Sequence, residues 1–210
     1  MSGLQASPIM DIFRFPDVIE TDDLLLRAPV PDDAPALFDE MFGDGDMMRD
    51  LPMVLHRSVE DSQRFVEESE RGWREGTLIR WVLEDKETKR LTAVIELRPQ
   101  LPRIEVGTII SRHGGARRRR AGLYALRKLL KWLLAQPPVF RIYAYCAIDG
   151  KAYSTMERLG FALEATVKNH ECRPNRGLPA ADSYLFAMTR PVQPPSVASP
   201  LAGWLPSLLE

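Results

Sequence analysis

Four consecutive arginines, Arg117 to Arg120, stand directly before Ala121-Gly122 and a long stretch with helical apolar spacing. Guanidinium forks match the oxygens of a phosphate. A helix N-terminus adds free N–H groups and a favourable dipole at the same place. The chemistry implied is capture of an anionic ligand, the alternative being a solvated helix face paired with the acidic half of the chain. The surrounding charge supports capture. From Val106 to Ile148 there is no acid, while Arg112, the four arginines, Arg127, Lys128, Lys131 and Arg141 all fall there. From Asp17 to Glu70 the balance inverts, with sixteen acids against four Arg/Lys. The net charge of -1 conceals this asymmetry. An acidic first third would form a wall that attracts cations.

Other reactive residue types carry less. His113 sits in the basic segment, within reach of a phosphate, while His56 and His170 are isolated. None has metal-ligand spacing, so no metal site is expected. Cys146 and Cys172 are too few for a disulfide framework. Cys146 reads as a small buried hydrophobe, and Trp73, Trp81 and Trp132 as core residues.

The elements that must position these residues follow from periodicity. Residues 1–20 read as a lead-in arm. A short strand is expected over 21–28 and a helix over 31–42, followed by a loop over 43–53. Ser58 with Asp61 three residues on is an N-cap signature, and the helix it opens stops at Gly76. Strands are expected over 78–85 and 90–98, joined by a charged turn, and again over 104–111, where Gly107 suggests a bulge or a close backbone approach. RHGGARRRR reads as a loop opening a helix over 121–135, which Pro137-Pro138 ends. A strand over 140–147, a helix over 151–159 closed by Gly160, and strands over 161–170 and 183–189 complete the domain. The Pro- and Ser-rich stretch 192–210 reads as a tail. The order is β-αα-βββ-α-β-α-ββ, an α/β arrangement (α+β in detail) with a mixed sheet and helices on both faces.

That order, with a basic segment opening the helix after the fourth strand, resembles the GNAT N-acyltransferase superfamily. Four phrases bring it closer to the RimJ/RimL-like branch, which acetylates ribosomal-protein N-termini. They are LLLRAPVPDDAPALF, VEDSQRFVEESERGW, IELRP followed by EVGTII, and MERLGF followed later by DSYLFAMTR. The resemblance covers about residues 21–190, with the domain itself over 21–191. It implies the GNAT fold, acetyl-CoA or another acyl-CoA as co-substrate and no metal. The implied acceptor is a protein N-terminus, a polyamine or another small amine, and the implied assembly is a monomer or homodimer.

The resemblance also implies site residues. Backbone groups of Ile109, Ile110 and Ser111 would line the acyl-CoA, with an N–H near Ile109 facing the acyl oxygen. The pyrophosphate pattern Gln/Arg-x-x-Gly-x-Gly/Ala falls on Arg117, Arg118, Arg119, Arg120, Ala121 and Gly122. Its middle glycine is Arg120 here, which would either obstruct the phosphate or clamp it. The loop is degenerate in that sense. Ahead of the last helix the family has Asn, then Ser. Here the Asn position becomes Asp149 or Gly150, and Tyr153 or Ser154 is the nearest hydroxyl for the leaving thiolate. Glu105 is the first candidate base and Glu96 the second.

A cytoplasmic protein is expected. There is no run of 18 apolar residues, so no membrane span, and the first residues lack a signal-peptide pattern. The second reading is a degenerate GNAT-fold binding or partner module with weak or no CoA-dependent catalysis. Nucleic acid is disfavoured, because the net charge is near zero and no recognition motif is present.

Overall fold

The computed structural model describes residues 14–113 and 115–192. Most of the N-terminal arm and nearly all of the C-terminal tail lie outside them. Within the arm a strand forms all the same: β1 (Val18–Glu20) pairs antiparallel with β2 (Leu24–Arg27). Phe15 is buried, and Pro16 accepts a hydrogen bond from Trp81 Nε1 at 3.0 Å.

The helix expected over 31–42 is three joined pieces, called α1 here. A 3₁₀ turn (Pro31–Asp33) leads to one α-turn (Ala34–Leu37) and then a π-segment (Phe38–Phe42). The 3₁₀ turn is fixed by Asp33, whose carboxylate accepts from the Val30 N–H and binds Arg27 at 2.7 and 2.9 Å. The segment read as a loop contains a helix, α2 (Gly45–Met48), which Asp44 caps through the N–H groups of Asp46 and Met47. The capping signature holds for α3 (Val59–Glu75): Ser58 and Asp61 form a capping box, and Gly76 ends the helix at φ 66°.

The strands β3 (Ile79–Asp85), β4 (Leu91–Gln100) and β5 (Arg103–Ile110) form a meander. The long helix α4 (Gly115–Ala135) then crosses to β6 (Arg141–Ala147). α5 (Tyr153–Leu159) ends at Gly160 with φ 99°, and β7 (Ala162–Arg173) and β8 (Leu178–Thr189) follow. The last two strands are longer than the sequence suggested, because a tight 3₁₀ turn over Pro174–Arg176 replaces a variable loop.

These strands make one mixed sheet, ordered β1-β2-β3-β4-β5-β6-β8-β7. All neighbours are antiparallel except β5 and β6. Alternation along the strands sends side chains to two cores. Trp81, Leu83 and Ile95 face α4, with Leu126, Leu129, Leu130 and Leu133. Val82 and Val94 face Phe42, Phe65 and Val66 from α1 and α3. Trp73 packs edge-on against Trp81 at 5.3 Å, so both serve packing. The β4–β5 register runs unbroken through Glu96↔Gly107, so Gly107 makes no bulge. A Cβ there would meet Glu96 only at ordinary contact distance, so no close approach explains it either.

Candidate active site

The site begins where two parallel strands part. Only Arg103, Glu105 and the Ile104 between them pair with β6, opposite Arg141, Tyr143 and Ile142. Beyond Glu105 the two strands diverge, although β5 continues to Ile110. The strand register decides which backbone groups face the gap. In an antiparallel pair, alternate residues turn their N–H and C=O to the partner. The Ser111 N–H donates to Thr92 O at 2.9 Å, and the register back from there is continuous. Ile109 therefore belongs to the ladder with β4. Thr108 and Ile110 turn their N–H and C=O toward the gap. The N–H expected near Ile109 is thus offered to the gap by its neighbours Thr108 and Ile110, a matter of phase that the sequence alone does not contain.

The gap opens into a cleft of about 1120 Å³. One wall is apolar: Leu123, Leu126 and Leu130 of α4, with Met156, Leu159 and Phe161. Ala144 and Cys146 of β6 line the cleft together with Thr108 and Ile110 of β5. Burial pushes the Cys146 thiol up to about 11, so it is protonated at neutral pH and packs as the small hydrophobe expected.

Glu105 sits at the fork itself, with its side chain 27% exposed. Tyr143 Oη donates to its Oε2 at 3.4 Å, and Arg98 Nη1 lies 3.8 Å from Oε1. Burial, with the neighbouring charge of Glu105, raises the Tyr143 phenol above its ordinary pKa, so it stays a donor. Glu96 also lines the cleft. It is more encumbered: Arg80 Nε holds Oε2 at 2.5 Å and Arg98 contacts Oε1. Arg80 is itself buried at 5% exposure. It lies over the Phe65 ring at 4.0 Å and reaches Glu68 at 2.6 Å. Of the two carboxylates, Glu105 has the freer oxygens.

The last short helix turns a different hydroxyl inward. Tyr153 is 38% exposed and packs its ring against Tyr184 and Phe186 at 5.5 and 5.2 Å. Ser154 is exposed. Neither is among the residues lining the cleft, whereas Thr155 is. The signal was present in the sequence. Ala152, Thr155, Met156 and Leu159 are spaced i, i+3, i+4, i+7, one face of a helix. Asp149 does not face the cleft. Arg176 binds it at 2.6 Å and holds its carboxyl below the usual range, tying the loop to the β7–β8 turn.

The arginine run also lands elsewhere than expected. α4 starts at Gly115, six residues before Ala121, so Arg117 to Arg120 lie on the helix and not in a loop. Arg117 pairs with Asp23 and Glu87, and Arg118 with Asp85. Those acids come from the β1–β2 turn and the β3–β4 hairpin. Arg119 is exposed yet lines a small cavity with Ser111, His113, Arg118 and Gly122, beside the start of α4. Arg120 is exposed and lines none of these surfaces, and Ala121 faces Asp22 and Asp23. The missing glycine therefore matters less than the alignment implied. Gly115 supplies φ 68° at the helix start, a conformation L side chains rarely adopt.

The acidic wall does not form. The polar side of the cleft carries Arg57, Arg64, Arg71, Arg80, Arg98, Lys151 and Arg173 against Asp50, Asp61, Glu68, Glu96, Glu105 and Glu171. Charges there are interleaved, and many acids of the first third, such as Asp33, are spent on structural pairs. His56 faces the same side, its Nδ1 2.9 Å from Ser62 Oγ and its ring 4.6 Å from that of Phe42. Burial lowers its pKa, so the neutral ring is favoured. His170 stacks on Tyr145 at 3.7 Å. Among the described residues no His/Cys/Asp/Glu group is arranged for a metal, and no helix is long and apolar enough to cross a membrane.

Comparison with known proteins places this geometry. No curated protein matches the sequence. The fold is shared with a GNAT-family acetyltransferase from Bacillus anthracis, at 22% identity and TM-score 0.68, covering 82% of this chain and 98% of that one. The microcin C7 self-immunity acetyltransferase MccE, solved with acetyl-CoA and AMP, aligns at 16% identity and TM-score 0.71, over 81% and 94% of the two chains. RimL, the ribosomal L7/L12 α-N-protein acetyltransferase, solved with coenzyme A, aligns at 17% identity and TM-score 0.69, over 82% and 97%. A family model for the acetyltransferase (GNAT) domain matches residues 23–162, and on that match the chain belongs to the GNAT acetyltransferase family.

Proposed function

We propose that this chain transfers an acetyl group from acetyl-CoA to a primary amine, on a protein N-terminus or a small molecule, by direct attack of the amine. The observation that carries the reading is the parting of β5 from β6. It leaves Thr108 and Ile110 with free backbone groups beside a carboxylate at the fork. A pantetheine arm is a chain of amides, and it fits a strand edge that lacks its partner. Thr108 and Ile110 would hold that arm against the apolar wall of α4. The first-turn N–H groups after Gly115, with Arg119 beside them, would receive its phosphates.

Acetyl-CoA supplies a thioester whose acyl carbon accepts a nucleophile. The protein's own groups do the rest. Glu105 takes the proton from the incoming amine, directly or through water, with Tyr143 holding one of its oxygens. The N–H of Thr108 or Ile110 donates to the acyl oxygen as charge develops there. Thr155 donates to the departing thiolate, the role that Tyr153 and Ser154 are too exposed to fill. The likeness to RimL supports a protein N-terminus as acceptor, and the interleaved charges of the cleft suit a peptide better than a polyamine. Two free cysteines accord with a reducing cytoplasm.

Thermal melting with acetyl-CoA tests the first half. A ligand at 100 times its Kd adds about 2.7 kcal/mol, a shift of several degrees in Tm. Release of free thiol on adding peptides with free N-termini tests the second. No shift at millimolar acetyl-CoA would leave a GNAT fold used only for binding a partner.

A further inference from the structure

The outer face of α4 carries charge that the cleft does not use. Arg120, Arg127 and Lys131 are exposed, and no carboxylate pairs with them among the described residues. They lie seven and four residues apart, so with Tyr124 they share one stripe of the helix. Lys128 flanks the stripe with its ammonium 4.6 Å from the Tyr124 ring centre. Phosphates held at the start of α4 cannot account for this. Arg127 and Lys131 stand about 18 and 24 Å further along the helix from Gly115 at 1.5 Å per residue. Neither lines the cleft.

The kind of partner follows from what else the stripe holds. Its exposed large hydrophobic residue is Tyr124, at 53% exposure. A protein partner needs an apolar core to its interface, and this face presents no exposed aliphatic side chain. A phosphate backbone needs only the cations, and an exposed aromatic ring adds a surface on which a base stacks. The near-zero net charge argued against nucleic acid. It does not hold at this distance scale, because charges more than about 10 Å apart are screened from one another at 0.1 M salt. α4 itself carries no acid. Asp23, Glu87 and Asp85 pair with Arg117 and Arg118 at its start, and Asp22 acts on Lys128 at the edge of the stripe, leaving Arg120, Arg127 and Lys131 unpaired among the described residues.

We propose that the outer face of α4, through Arg120, Arg127, Lys128, Lys131 and Tyr124, docks single-stranded RNA without reading its sequence. The probe is a fluorescein-labelled 12-nucleotide oligouridylate, followed by anisotropy at 50 and 200 mM salt. Three phosphate contacts on a single strand, from Arg120, Arg127 and Lys131 with Lys128 held over the Tyr124 ring, give a log–log salt slope of about -2, so binding weakens roughly tenfold to twentyfold across that range. The charge-reversed Arg127→Glu/Lys131→Glu variant loses binding at least tenfold. The milder Arg127→Gln/Lys131→Gln variant loses it several-fold. Both keep the melting temperature and the acetyl-CoA shift of the parent, since these side chains touch neither core nor cleft. The proposal fails if the parent does not bind at 50 mM salt, or if the reversed variant binds equally well. It also fails if polyglutamate displaces the RNA at equal charge concentration, which would make the face a site for acidic proteins.

Discussion

From Arg103 to Glu105, β5 has a strand on each side; from Val106 to Ile110 it has one. The closed half is Arg-Ile-Glu and the open half Val-Gly-Thr-Ile-Ile, and neither composition says which of them has a second partner. The closed half buries its backbone groups in ladders and serves stability. The open half holds the same groups ready, a few residues away, for an extended ligand. In the proposed function the chemistry falls at the boundary, on Glu105, the residue that ends the pairing.

The largest effect should come from that boundary residue. Glu105→Gln is expected to lower kcat by about 10²–10⁴, the range for removing a general base, with KM for acetyl-CoA unchanged. If Glu96→Gln does this instead, the base lies in the open half. The phase of the strand is tested by two prolines. Thr108→Pro should fold and lose about 10²–10³ in kcat, the loss seen on removing an oxyanion donor. Ile109→Pro removes a ladder donor to β4 and should destabilise by about 1–3 kcal/mol. Exchange of those two outcomes in urea titration and turnover would reverse the assignment. Next, Arg80→Met strips the clamp from Glu68 and Glu96 beneath the open half and should cost about 3–5 kcal/mol, as broken buried pairs do.

Smaller effects concern the two sides of the gap. Cys146, with its pKa near 11, should resist iodoacetamide at pH 8, while exposed Cys172 is alkylated first. Peptide mapping by mass decides the order. His56 has a folded pKa below its ordinary 6.5. Below pH 6.5 the unfolded chain binds a proton there that the folded chain does not, so stability falls as pH drops through that window. His56→Gln should flatten the slope between pH 7 and 5.5 in urea titrations.

Much of the scaffold was legible in the chain. Ser58, Asp61 and Gly76 mark both ends of α3 through local capping, and Gly160 does so for the end of α5. The misses share a cause, which is that their determinants are remote or depend on phase. The four adjacent arginines, following Gly114-Gly115, read as part of a loop. Arg is nonetheless a good helix former, and the acids that neutralise Arg117 and Arg118 lie about 30 to 94 positions away. Pro35 and the π-segment break a helix whose apolar spacing looked continuous. In the site, the type of residue was readable but its direction was not: Glu105 at the fork against Ile109 turned to β4, and Thr155 turned inward against Tyr153 turned out.

The three-residue pairing of β5 with β6 has a mechanical side. It is where the strands of the sheet's two blocks, β1 to β5 and β6 with β8 and β7, pair with each other. Asn175 in the β7–β8 turn ties the blocks a second time, on the far side of the cleft, through Leu55, Met48 and Met53. A short seam at one end and a side-chain tie at the other leave the open half of β5 between two fixed points, so the width of the cleft is set by both. A ligand lying along the open half would bridge the blocks like a missing strand. Its arrival would stiffen the molecule at a distance, slowing amide exchange in β6 and β8 as well as in β5.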